Sequence, residues 1–419
     1  MASLSFGREG EKSLPFVEFV GIIAVLMALT ALAVDIMLPA LPMIADEFAI
    51  TDANDRQLIV TSYMLGFAAG MPIYGPLSDR FGRKIILLLG LGVFVVASIG
   101  VVVVDSYESV LLLRALQGIG TASPRIVAIA VVRDRFAGRD MARVMSFVMM
   151  VFITLPMLAP AMGSGILLLG SWHGIFVALL LVGVLIGTWV QLRLPETRPP
   201  EDREPLSLRW LGHAFVRTVS SRETLGYTIA TAFIFGPILG YINSAQQIFI
   251  EAYEIGDLFP VFFALISMAL AIAAFTNGRI VVRVGMRILS HIALIGFIAT
   301  ALVHLIVVLA VGGEPSIWTF SGFLAANLFC FGMMMPNFNS MAMEPLGNIA
   351  GVAASFVGAI QTAGAAIFGW YVGHLYDGTV VPLVAGYVVL GTLALITVLI
   401  TERGRLFRPH HHAPSPASK

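Results

Sequence analysis

Along this chain, apolar runs of roughly 18–25 residues alternate with short polar breaks, and each run is long enough to cross about 30 Å of hydrocarbon as a helix. The pattern predicts spans near 17–40, 57–77, 85–104, 108–131, 144–168 and 173–193, then 225–249, 257–277, 288–311, 316–340, 347–371 and 380–401. Between the two sets lies a polar stretch, 195–222, with Pro195, Pro199, Pro200 and Pro205 among charges of both signs. The expected organisation is an N-terminal six-helix bundle over 1–194, a hinge-like linker over 195–222 and a C-terminal six-helix bundle over 223–402. A tail over 403–419, bearing Pro409, Pro414 and Pro416, reads as disordered. The fold class is thus all-α membrane protein, with twelve transmembrane helices in two halves.

Basic residues orient the spans. With both termini in the cytoplasm, 22 of the 25 lysines and arginines fall in the inner segments. Arg56 alone falls in an outer loop, and Arg114 and Arg125 fall inside a helix. A faint repeat relates the halves: Arg80-Phe81-Gly82-Arg83-Lys84 follows the second span and Arg283-Val284-Gly285-Met286-Arg287 the eighth, 203 residues on. Such internal repeats belong to transporters that rock two bundles about a central site.

Composition removes other classes. Charged residues are 12% of the chain and mean hydropathy is +0.91, against roughly a quarter charged in soluble domains, so lipid must cover most of the surface. Equal numbers of basic and acidic residues give no nucleic-acid signature. The single Cys330 offers neither a disulfide nor a cysteine metal site. An enzyme would need clustered titratable groups at membrane depth, or a nucleophile beside a base. The acids here are scattered at helix ends (Glu108, Glu344, Asp377). No phosphate-cradling G-x-x-x-x-G-K-[ST] loop is present for a primary pump, and no filter repeat for a channel. No cofactor is expected; the driving force would be the proton gradient.

Four segments carry candidate chemistry. Gly75-Pro76-Leu77-Ser78-Asp79-Arg80-Phe81-Gly82-Arg83-Lys84 forms a short loop in which Gly82 permits a tight turn and Asp79 can meet arginines or a helix N-terminus. Arg114 lies in Leu113-Arg114-Ala115-Leu116-Gln117-Gly118-Ile119-Gly120; an arginine inside a span costs at least ~2.5 kcal/mol and needs an interior partner. Asp35 stands in Asp35-Ile36-Met37-Leu38-Pro39-Ala40-Leu41-Pro42. Asp35 and Arg114 lie about five and six residues from the predicted outer ends of their helices, so at ~1.5 Å per residue they share a level. They are the expected coupling pair. The fourth segment runs Pro156-Met157-Leu158-Ala159-Pro160-Ala161-Met162-Gly163-Ser164, where prolines and small residues allow bending and close packing.

These segments resemble the major facilitator superfamily. The first matches its G-x-L-x-D-R-x-G-R-K loop at every fixed position, and the second resembles R-x-x-Q-G-x-G. The fourth resembles the antiporter motif G-P-x-x-G-G, with Ala159 and Ser164 in place of glycines. The Asp35 segment and Val132-Arg133-Asp134 resemble the twelve-helix drug:proton antiporters of the bicyclomycin/chloramphenicol resistance (Bcr/CflA) branch. The resemblance implies a fold of two pseudo-symmetric bundles. It also implies a cytoplasmic latch between the halves (Gly75, Asp79, Arg80, Gly82, Arg83, Lys84), antiport through the fifth-helix motif (Pro156, Ala159, Pro160, Gly163), and a monomer in a bacterial inner membrane.

Arg125, about three turns beyond Arg114 on the same face, has no assigned role at this stage. The cavity is expected to involve Asp35, Arg114, Gln117, Phe235, Asn327 and Gln361, with Asn243, Gln246 and Gln247 towards its outer end. Met and Phe residues surround it, and His304 reads as facing lipid or a neighbouring helix. Such a wall suits a neutral or weakly charged amphipathic ligand. Two functions follow: drug:proton antiport, or export or proton symport of a natural metabolite on the same fold.

Overall fold

The computed structural model describes residues 14–203 and 207–407, so the His410-His411-His412 run and most of the tail lie outside the described residues. Among the described residues the regular secondary structure is helical almost throughout. The N-terminal half comprises α1 (Phe16–Asp35), α2 (Leu41–Glu47), α3 (Leu58–Phe81), α4 (Arg83–Val103), α5 (Tyr107–Arg135), α6 (Gly138–Leu167) and α7 (His173–Arg193). After α8 (Leu208–Ser220) come α9 (Arg222–Gln246), α10 (Phe259–Val284), α11 (Met286–Ala310), α12 (Ile317–Met343), α13 (Ala350–His374) and α14 (Val381–Thr401). Twelve stretches of this set are long and apolar enough to span a bilayer, in the twelve places the hydropathy pattern predicts. An even number puts the start of α1 and the end of α14 at one end of the bundle, here the terminal end; the other is the distal end.

Burial ranks the spans. The apolar windows of α1 and α9 are 78% and 72% buried inside the protein, whereas those of α7 and α11 are 33%. The first two are therefore central, and the others turn exposed leucines and valines such as Leu192 and Val303 to lipid. Each half closes on itself: α5 packs on α3 and α4, and α9 packs on α12, α13 and α14. The halves meet along two seams, α3 with α13 and α6 with α10. Position by position, these are the same pair of helices with the halves exchanged.

The repeated loops share a backbone device. Gly82 ends α3 and starts α4 at φ 104°, and Gly285 joins α10 to α11 at φ 87°. Both occupy a region that side chains with a Cβ avoid.

The predicted linker is partly structured. Ser207 caps α8, its Oγ accepting from Trp210 N at 3.2 Å. The helix then lays Ala214 against Leu346, Ile349 and Ala353, and Phe215 edge-on to Phe356 at 5.2 Å. It is bound to the C-terminal half, so free chain between the halves is much shorter than residues 195–222.

Candidate functional site

Asp35 is the last residue of α1. The helix gives way to a turn over Ile36–Met37 and a single 3-10 turn, Leu38–Ala40, because Pro39 and Pro42 lack the N–H groups that would continue it. The sequence-based placement put Asp35 about five residues inside the span; it instead stands where the regular helix stops. Its side chain is 5% exposed and makes no hydrogen bond or ion pair among the described residues. Tyr63 of α3 and Tyr241 of α9 lie within electrostatic range, so the carboxylate sits where the two halves adjoin.

The expected Asp35–Arg114 ion pair is not formed. Arg114, fully buried on α5, spends its donors on neutral groups: Nη1 on Gln117 Oε1 (2.8 Å), Nη2 on the carbonyl of Ala33 (3.2 Å) and Nε on that of Ile59 (3.4 Å). Its guanidinium also lies 4.5 Å from the ring centre of Tyr63. Gln117 Nε2 donates to Ser98 Oγ (2.7 Å), and the Tyr63 hydroxyl bonds Thr121 Oγ1 (2.7 Å) and the Thr30 carbonyl (3.3 Å). A continuous polar network therefore ties α1, α3, α4 and α5 together beneath the last turn of α1. Arg114 and Gln117 expose no surface, so they position Asp35's helix and do not line a cavity, contrary to the expectation for them.

The glycines around Arg114 have a steric cause. A Cβ on Gly118 would strike the carbonyl oxygen of Tyr63, and one on Gly120 would come within 2.6 Å of Phe94 N. Gly163 of the fifth-helix motif abuts the carbonyl of Ile36, directly after Asp35, in the same way. Ala159 and Pro160 are buried beside it on α6, and Pro156 is half-buried. The fifth-helix motif thus packs against the break that follows Asp35, a relation that distance in sequence concealed.

At the terminal end, Arg83 is 1% exposed and carries the loop cluster. It meets Asp79 (2.8 Å), Asp134 of α5 (2.8 Å) and Ser78 Oγ (2.6 Å). Glu196 accepts from the backbone N–H groups of Arg83 (2.8 Å) and Lys84 (3.2 Å), capping α4, and Arg198 reaches Asp79 at 3.2 Å. Lys84 Nζ donates to the Gln191 carbonyl (2.7 Å), Arg80 is exposed and Gly75 is half-buried. The partners named here belong to the N-terminal half and the start of the linker. In this state the cluster braces one bundle, where the resemblance implied a latch between two. In the other half Arg287 meets Glu402 (3.1 Å), Glu344 (3.5 Å) and Glu223 (4.0 Å), which completes the repeat. Glu196 escaped the sequence-based selection, and Asp134 entered it only within Val132-Arg133-Asp134, with no role; a carboxylate soon after a span's end, in each half, was the available signal.

The distal end is where the halves are joined by polar bonds. After α9 the helix widens into a π-type turn, Gln247–Ala252, which swings Gln247 and Glu251 towards the start of α3. Arg56 Nη2 meets Glu251 Oε1 at 2.5 Å; Gln57 Nε2 donates to Gln247 Oε1 (2.6 Å) and to the Gly373 carbonyl (3.0 Å). Asn54 holds the carbonyls of His374 (3.1 Å) and Tyr376 (2.9 Å), and Asn243 reaches Thr61 at 3.4 Å. A Cβ on Gly373 would displace the Gln57 side chain from this position. Asp52, Asp55 and His374 rim the seal, with ligand-type atoms within 4.8 Å of one another. Asn243 and Gln247 are thus parts of a seal between the halves, not cavity lining.

The remaining predicted residues lie in the C-terminal half. Phe235 is half-buried and stacks on Phe331 (5.6 Å). Asn327 bonds its own helix at Phe323, leaving Oδ1 buried without a partner, and Gln361 donates to Asn339 Oδ1 (2.9 Å). His304 stacks on Phe323 at 4.8 Å, facing a neighbouring helix.

Comparison with known proteins agrees with this architecture. The family model for the Major Facilitator Superfamily matches residues 23–369. A bicyclomycin resistance protein homolog of Haemophilus influenzae is 30% identical over 383 residues, covering 91% of this chain and 94% of that one. The chloramphenicol resistance protein CraA of Acinetobacter baumannii is 30% identical over 238 residues, 55% of this chain and 57% of its own. The xylose transporter XylE of E. coli, solved in a partially occluded inward open conformation, superposes with TM-score 0.71 at 13% identity over 96% of this chain and 99% of that one. The chain is therefore a non-enzymatic membrane transporter that belongs to the Major Facilitator Superfamily, in its Bcr/CflA branch.

Proposed function

We propose that the protein exports small amphipathic compounds, antibiotics among them, in exchange for protons by alternating access. The observation that carries this reading is the buried, unpaired carboxylate of Asp35 at the break in α1, where the two halves adjoin. A carboxylate held by no fixed cation is free to change protonation when its water access changes sides. The Arg114–Gln117 network holds the helix above it, and the packing of Gly163 against Ile36 passes movement between α1 and α6.

The terminal end is taken as cytoplasmic from the distribution of basic residues, and the distal seal as the closed outer gate. In this state the substrate enters from the cytoplasm and meets Asp35, Phe235, Asn327 and Gln361. The seal breaks when the halves rock. The protein works as a monomer in the inner membrane, with no cofactor beyond the proton gradient. Resistance to bicyclomycin and chloramphenicol in the names of its relatives supports this substrate class.

The test is proton movement in inside-out vesicles with an imposed pH gradient, challenged with lipophilic antibiotics including a phenicol. Wild type should release protons on substrate addition, and Asp35→Asn should not. Unchanged coupling in the variant would refute the role of Asp35, and no proton movement with any compound would favour a metabolite as cargo.

A further inference from the structure

Arg125 is a cation that the mechanism above does not use. It lies on α5 eleven residues beyond Arg114, about 16 Å further towards the terminal end. The buried arginines described above have acceptors: Arg114 has Gln117 and two carbonyls, Arg56 has Glu251, and Arg83 and Arg287 have carboxylates. Arg125 has none among the described residues. Its Nη1 is shut off from solvent without a hydrogen-bond partner, while the side chain as a whole is only half-buried. The guanidinium lies 4.5 Å from the ring centre of Phe152 on α6, one turn before Pro156 of the fifth-helix motif.

A cation within a span is costly unless it is paired. The face of an aromatic ring returns only part of that cost and accepts none of the five N–H donors in the guanidinium plane. Such a group, half-buried beside an aromatic ring on the same helix face as the fully buried Arg114, is built to receive an acceptor that the protein does not supply. On the exporter reading above, an incoming molecule reaches it from the terminal end.

We propose that Arg125 and Phe152 form an anion subsite that selects amphipathic substrates bearing a carboxylate. The carboxylate takes the guanidinium fork in two parallel hydrogen bonds, and the apolar body lies along Phe152. This rests on the exporter reading and adds, within its amphipathic substrate class, a preference for compounds that bear a carboxylate.

The test compares 1-naphthylacetate with its methyl ester, binding to the detergent-solubilised full chain by isothermal titration. Wild type should bind the acid at least about tenfold more tightly than the ester. Arg125→Gln should bind both equally, with ester affinity unchanged, which also reports an intact fold. Arg125→Lys should keep a smaller preference, since it retains the charge and loses the fork; should Arg125→Gln not fold, this variant decides. Equal affinities in wild type, binding of neither probe, or a full preference surviving in either variant would overturn the proposal. Efflux of a neutral phenicol from vesicles tests the exporter reading separately. Its absence, with the acid preference intact, would remove neutral phenicols from the exporter's substrates and leave the subsite standing.

Discussion

Opening of the distal end is governed by bonds that can be cut one at a time. Arg56→Ala removes the contact with Glu251, in which the arginine side chain is 5% exposed and the glutamate 44%. A fully exposed pair contributes about 0–1 kcal/mol, and a hydrogen bond to a charged group about 1.5–3 kcal/mol. With one partner buried and the other half in water, about 1.5 kcal/mol is the reasonable loss. That weakens the sealed state about tenfold relative to the opened one. Thr61 is buried at the seal and is bonded by Asn243 from the other half, so a cysteine there reports opening. In right-side-out membranes of a Cys330→Ser background, a membrane-impermeant maleimide should label Thr61→Cys about tenfold faster with Arg56→Ala. The charge exchange Arg56→Glu with Glu251→Arg should return the rate towards the parent. An unchanged rate in Arg56→Ala, or an exchange that fails to restore protection, would refute the assignment of these residues as a gate.

Two further outcomes follow from the interior. Gln117→Leu leaves Arg114 Nη1 and Ser98 Oγ without each other's bridge, and should cost about 1–3 kcal/mol, read as a lower unfolding midpoint in detergent; an unchanged midpoint would mean the network is not stabilising. Gly163→Val drives a side chain into the Ile36 carbonyl and should abolish transport while the protein still reaches the membrane, measured as vesicle efflux against expression; normal efflux would show that α1 and α6 need not approach so closely.

Much of this protein was legible in its sequence because lipid imposes a one-dimensional rule. A span must satisfy its own backbone and present about 20 apolar residues, so span number, order and division into halves can be read by counting. Gly82 and Gly285 were legible for a similarly local reason, since a tight turn between helices demands a positive φ.

Relations between side chains on different helices were not legible. Asp35 and Arg114 share a level by rise per residue, but rise says nothing of azimuth, and Arg114 turns to Gln117, Ala33 and Tyr63 instead. Gln247 and Asn243 read as cavity amides because their helix was correctly found, and only the packing of α9 and the π-type turn beyond it against the start of α3 shows that they meet Asn54 and Thr61 from the other half. Glu196 looked like linker until it was seen capping α4. The sequence by itself determined which segments enter the membrane and which charges must be accommodated there, because the bilayer tests each segment separately. Only the tertiary structure decided which charge has a partner, which amide joins the halves and which arginine stands open, because those depend on how helices distant in sequence are rotated against one another.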